Sequence, residues 1–137
     1  MLHSVVNDTN AKRWCGPSAV CIVTGKPMSL IRREMRLDRP GSNIMGTSWW
    51  QIKAILERHG WLAIETANHP AVQPITLARW LAGRVDRTEL NIVDVTRHWL
   101  VVEGHKFCDS FTGEPVFIRR APHRRKYVKK VYKLVRL

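Results

Sequence analysis

The hydrophobic period of this chain changes near its middle, and that change restricts its possible folds more than any other feature. In the first half, apolar residues recur at helical spacing. "CGPSAVCIVTG" (15–25) carries Pro17 in its first turn, where a missing N–H costs nothing, and stops at Gly25. "SLIRREM" predicts a short second helix, followed by a loop over "RLDRPGSNIMG". "TSWWQIKAILERHG" has Thr47 or Ser48 as N-cap, an apolar face of Trp49, Ile52, Ile55 and Leu56, and Gly60 as terminator. "WLAIETA" predicts a strand and "ITLARWLAG" a fourth short helix. Beyond residue 90 the segments "LNIVDV", "HWLVVE", "KFCDSF" and "PVFIR" are short, β-branched and aromatic, and bounded by turn residues. The last segment, "YVKKVYKLVRL", could form a helical stripe, but its valines and tyrosines favour a closing strand. Helices first and an antiparallel sheet second predict an α+β domain, with the 137 residues forming one unit (1–137).

Composition narrows the classes of function. No apolar run reaches the length of a membrane span, and "MLHSVVNDTN" lacks the basic start and apolar centre of a signal peptide. Synthesis in the cytosol is the expectation, which suits a free enzyme, a toxin or effector, or a component of a phage particle. Three cysteines, an odd number, argue for reduced thiols. The net charge of +12 is uneven: residues 119–137 hold nine of the 23 Lys and Arg and none of the 11 acids. The first 118 residues therefore carry 14 bases against 11 acids, a net of only +3.

Cys15 stands at the start of a helix. There it meets unpaired backbone N–H groups and the positive end of the helix dipole, both of which favour the nucleophilic thiolate. Cys21, among Val20, Ile22 and Val23, reads instead as a small core residue. A cysteine nucleophile needs a base and a group to orient that base. A two-residue hairpin at Gly104-His105 sets Glu103 opposite Lys106, Leu100 opposite Asp109 and His98 opposite Phe111. His98 and Asp109 then share one face as diagonal neighbours, so the aspartate can hold the imidazole in one tautomer. A slip of one residue would separate them. Singly, each has an ordinary alternative: Cys15 as a packed thiol, His98 as an exposed strand residue, and Asp109 as the start of the turn at Thr112-Gly113.

Three blocks, "CGPSAV" (15–20), "GTSWWQIKAILERHG" (46–60) and "HWLVVEGHKFCDS" (98–110), resemble the papain-like cysteine peptidases. Within that clan they are most similar to the C39 group of bacteriocin-processing domains. The resemblance implies a helical lobe carrying the cysteine, packed on an antiparallel sheet carrying the histidine and aspartate. It implies cleavage of peptide or isopeptide bonds without a cofactor, with Cys15, His98 and Asp109 as the catalytic triad. The family's glutamine upstream of the cysteine, which completes the oxyanion hole, has no counterpart here: the first glutamine is Gln51. Asn10 is the substitute expected from position, with Asn7 as the alternative. Ser110 also stands where the family often has proline. Trp14 and Gly16, flanking Cys15, are the residues expected at the substrate cleft.

Three competing readings remain. "HKFC" (105–108) with Cys15, Cys21 and His98 lacks the close ligand pairs of a zinc site, so no metal is expected. The basic segment could grip nucleic acid, a cell-envelope polymer or another polyanion through Arg119, Arg120, Arg124, Arg125, Lys126, Lys129 and Lys130. Tyr127 and Tyr132 lie between those charges and offer stacking surfaces. In that case the domain would be catalytically weak or inactive and would act by binding. The ordinary alternative is a solvated sheet edge protected by its lysines.

Overall fold

The structure is a computed structural model and describes residues 1–38, 40, 47–68, 73–96, 98–122 and 124–137. The loop expected between the second and third helices falls largely on residues 39 and 41–46, outside the described residues, as does Gly46 at the head of the second family-like block.

Three helices come first: α1 (Cys15–Thr24), α2 (Met28–Asp38) and α3 (Trp49–Arg58). α1 ends where Gly25 takes φ +75, a left-handed cap that other residues resist. α3 starts with a capping box: Ser48 accepts from the Gln51 N–H, and the Gln51 side chain accepts from the Ser48 N–H. β1 (Trp61–Asn68) and the short α4 (Leu77–Ala82) lead into a run of strands. These are β2 (Leu90–Val95), β3 (His98–Glu103), β4 (Lys106–Asp109), the two-residue β5 (Val116–Phe117) and β6 (Val128–Arg136). "PVFIR" is thus only briefly a strand, because Ile118–Arg120 turns into one 3₁₀ loop.

The sheet has the order β1-β6-β2-β3-β4-β5, and each neighbouring pair is antiparallel. The final segment is a strand, as its composition predicts. It is not an edge: β6 lies between β1 and β2, so its lysines do not guard an open sheet margin. Both faces are covered. Side chains alternate across the strands. Ile92, Val101, Cys108, Tyr132 and Leu134 pack with α1, α2 and α3, whereas Val93, Leu100, Val102, Phe107 and Val131 pack with Leu77 and Leu81 of α4. α4 therefore lies apart from the lobe formed by the first three helices.

The hairpin of β3 and β4 has the register expected from its turn. Leu100 pairs with Asp109 and Glu103 with Lys106, with Gly104 at φ +61. Trp99 faces the helical side, where Trp49 stacks on it at 5.4 Å and on Tyr132 at 3.7 Å between ring centres. Trp50, the next residue along α3, is 69% exposed.

Candidate active site

α1 has no side-chain cap. Trp14, its N-cap residue, offers no hydrogen-bonding oxygen, and Pro17 has no N–H to satisfy. The positive end of the helix is therefore left open at Cys15, the first helical residue. Gly16 is needed there for a second reason. A Cβ at position 16 would lie 2.8 Å from the Cβ of Thr47, closer than two carbon atoms pack. The glycine lets α1 approach the start of α3, and the residues next to the thiol are fixed by that approach.

His98 opens β3 as Cys15 opens α1. Both lie at the ends of their elements, so the imidazole reaches the thiol although its strand face is the one opposite α1. His98 Nε2 is 2.7 Å from Asp109 Oδ2, and the pair is buried, with His98 4% and Asp109 0% exposed. The thiol of Cys15 is hydrogen-bonded to the ring, which leaves Nδ1 as the nitrogen on that side. Asp109 also answers the ordinary reading of its position. Its Oδ1 accepts from the N–H groups of Phe111 (3.0 Å) and Thr112 (2.9 Å), which fixes the turn running to Gly113. One carboxylate thus holds both the turn and the imidazole. Phe111 packs beside the ring, with centroids 5.1 Å apart.

The electrostatics of the three groups agree. Burial pushes the Cys15 thiol up, but hydrogen bonds to His98 and from the N–H groups of Trp99 and Gly16, with the imidazolium charge, outweigh it and lower its pKa. Burial pushes His98 down, yet its bonds to Asp109 and Cys15 raise it above the ordinary histidine value. Burial raises Asp109, and the His98 bond with the Thr112 and Phe111 N–H groups brings it below the usual carboxylate range. Each shift favours the charged form, so the arrangement stabilises a thiolate–imidazolium pair backed by a carboxylate. The other thiols are the reverse case: burial pushes Cys21 up to about 12 and Cys108 up to about 11.

Cys15 and His98 open into a cleft of about 380 Å³. Trp14, Ser110 and Phe111 line it. Gly16 is buried and is not among the described residues that line the cleft. Lys12, Arg13 and Lys126 complete the lining and were not expected there. Lys12 and Arg13 could have been suspected from their place just before Trp14-Cys15. Lys126 gave no local signal. A separate groove of about 430 Å³ runs along α2 beside Arg32, Arg33 and Arg36 and does not touch the triad.

Neither asparagine is among the described residues lining the cleft. Asn10 is exposed and lies outside the cleft lining. Asn7 is committed to its own loop: Nδ2 donates to the Ala11 carbonyl at 2.9 Å, while Oδ1 accepts from the N–H and hydroxyl of Thr9. That small turn engages both polar atoms of the Asn7 side chain within its own loop.

The basic residues of the last segment are dispersed. Arg119 and Arg120 occupy the 3₁₀ turn; Arg124 donates to the Ile118 carbonyl; Arg125 is exposed. Lys129 and Lys130 are adjacent on β6, and Lys130 pairs with Glu65 at 3.4 Å. Lys126 alone among these reaches the cleft. No helix among the described residues is long and apolar enough to cross a membrane.

No protein-family model matches the chain, and no curated protein matches it in sequence. Among solved structures, it is similar to the crystal structure of the peptidase domain of Streptococcus ComA, a bi-functional ABC transporter involved in a quorum sensing pathway. The superposition covers 98% of this chain and 98% of that one, with a TM-score of 0.62 and 17% identity. The likeness is one of fold. The helices and antiparallel sheet expected from the three sequence blocks are present, in an arrangement shared with that peptidase domain.

Proposed function

We propose that the chain is a cysteine peptidase that hydrolyses peptide or isopeptide bonds through Cys15, His98 and Asp109. The observation that carries this reading is the buried 2.7 Å bond between His98 Nε2 and Asp109 Oδ2, with the Cys15 thiol on the other side of the ring, at the floor of an open cleft. In the cycle, the Cys15 thiolate adds to the scissile carbonyl. The oxyanion is met by the Cys15 N–H, which at a helix start has no helical acceptor. The His98 imidazolium gives its proton to the leaving amine, and a thioester remains on Cys15. The neutral ring then takes a proton from water, whose oxygen displaces the thiolate and frees the acid product. Asp109 keeps the ring in register through both steps. No metal or organic cofactor takes part in this sequence.

Selective alkylation tests the reading before any substrate is known. Iodoacetamide at neutral pH should modify Cys15 and spare Cys21 and Cys108, whose pKa values of about 12 and 11 hold them as thiols. His98→Ala should move the alkylation profile of Cys15 to higher pH. Cys15→Ala and His98→Ala should each abolish peptide hydrolysis while leaving the far-UV circular dichroism unchanged. Turnover surviving in Cys15→Ala would refute the proposal. A second reading is favoured by the place of Asn10 outside the cleft: a weak or inactive domain that acts by binding. It predicts an activated Cys15 that alkylates readily yet forms no thioester with any peptide offered.

A further inference from the structure

Of the eight described residues lining the cleft, three are lysine or arginine (Lys12, Arg13 and Lys126) and none is an acid. The domain's average charge does not explain this concentration, because the charge outside the last nineteen residues is close to balanced. None of the three forms an ion pair among the described residues, whereas Lys130 and Lys133 on the neighbouring strand pair with Glu65 and Glu89. Each is nonetheless held. Lys126 Nζ donates to the Thr96 carbonyl at 3.3 Å, and the Lys12 ammonium lies 5.9 Å from the Trp14 ring centre. The Arg13 guanidinium fills the space beside Gly113, where a Cβ would collide with it. Three placed cations with no ion pair among the described residues, lining one cleft with the Cys15 thiol, form a receptor for negative charge.

We infer that this cleft selects peptides bearing aspartate or glutamate side chains next to the bond presented to Cys15, with Lys12, Arg13 and Lys126 as the specificity determinants. This rests on the peptidase reading for its chemistry, and it gives one residue of the basic C-terminal segment a function. Lys126 brings that segment to the cleft, and the exposed Arg124 and Arg125 extend the positive surface beyond it. A peptide fits better than a polynucleotide. The cations surround a nucleophile aimed at an acyl carbon, and a cleft of about 380 Å³ takes a few side chains rather than a tracked sugar-phosphate backbone.

The test uses the full chain with Cys15→Ala, so that binding is read without turnover. Two fluorescein-labelled pools of random nonapeptides are compared by anisotropy, one with glutamate and the other with glutamine flanking the central residue pair. The glutamate pool should bind about tenfold more tightly at low salt, each exposed charge supplying about two- to fivefold. The preference should shrink as salt screens it. It should fall stepwise in Lys12→Gln, Arg13→Gln and Lys126→Gln and vanish in the triple variant. Equal binding of the two pools would overturn the inference. So would a preference that the triple variant retains, or displacement by a single-stranded oligonucleotide at lower concentration than by the glutamate pool. Turnover by the wild-type chain is measured separately on the same pools. Charge-selective binding without cleavage would sink the peptidase reading alone; cleavage of both pools at equal rates and affinities would sink the charge selection alone.

Discussion

In Asp109→Asn the side chain keeps its shape, loses its charge and exchanges one acceptor for a donor. The wild-type Oδ1 accepts two partly buried N–H groups, from Phe111 and Thr112, while Oδ2 accepts from His98. The amide oxygen should stay on the two backbone donors, because leaving a buried donor unpaired costs about 1–3 kcal/mol. The amide nitrogen then faces His98 Nε2. Both cannot donate, so the ring must present a lone pair at Nε2 and carry its proton on Nδ1, toward Cys15. An imidazole in that tautomer cannot accept the thiol proton. The lost charge-assisted bond is worth about 1.5–3 kcal/mol, or ten- to a hundredfold in the population of the thiolate–imidazolium pair. With proton transfer also impaired, hydrolysis should fall by about 10²–10⁴.

The fold should survive, with a loss of about 1–2 kcal/mol at neutral pH from the weaker hydrogen bonds. The pH dependence has a defined sign. The Asp109 carboxyl is held below its ordinary range, so its stabilisation is present above the unfolded pKa of about 3.9 and is lost as pH falls through the lowered folded value. The stability gap between wild type and Asp109→Asn should therefore be widest near neutrality and close in acid. His98 acts in the opposite sense. Its raised pKa gives stabilisation that is full below about 6.5 and lost as pH rises through the folded value. Alkylation rates of Cys15 across about pH 5–9, with thermal melts over the same range, measure both effects. An unchanged alkylation profile in Asp109→Asn, with turnover within about twofold of wild type, would refute the tautomer argument.

Two further substitutions probe the surroundings of the thiol. Gly16→Ala should cost about 1–3 kcal/mol, because its Cβ would fall 2.8 Å from the Thr47 Cβ. A lowered melting temperature that recovers in Gly16→Ala/Thr47→Gly would tie the loss to that contact, whereas an unchanged melt would show that the approach of α1 to α3 is loose. Asn10→Ala should reduce kcat by less than tenfold, against the roughly 10²–10³ expected from deleting an oxyanion donor. A loss in the larger range would mean that the 7–14 loop closes over the thiol when substrate binds.

What could be read from the sequence was set by local geometry. The pairing of Leu100 with Asp109, and with it the meeting of His98 and Asp109, depends on a two-residue turn whose Gly104 takes positive φ, and a turn of that length leaves one register open. The ends of α1 were similarly legible from Pro17 and Gly25. The position of β6 was not. It pairs with β1 and β2 across long stretches of chain, with register shifts at Glu65/Ala67 and Asp94/Val95, and no short-range pattern records such partners. The same limit hid Lys126, which reaches the cleft only because β6 enters the middle of the sheet. The turn at 7–9 had a local signal too: "NDT" is a turn-forming triplet, and Thr9 donates to Asn7 Oδ1 through its N–H and hydroxyl.

The absence of a glutamine upstream of Cys15 and the cations of the cleft bear on one another. Beside Cys15 the structure has main-chain N–H groups at a helix start without a side-chain cap, and the same cleft is lined by three cations that form no ion pair among the described residues. Charge acts over several ångströms and needs less exact placement than a hydrogen bond, so it can lower the energy of a developing oxyanion from the rim. It can also favour the thiolate before substrate arrives. Such a contribution is screened by salt, whereas a buried hydrogen bond is not. If the cations share in the chemistry, kcat itself should fall with ionic strength, beyond any loss of affinity for acidic peptides. A salt dependence confined to KM would restrict Lys12, Arg13 and Lys126 to recognition and leave the oxyanion to the backbone alone.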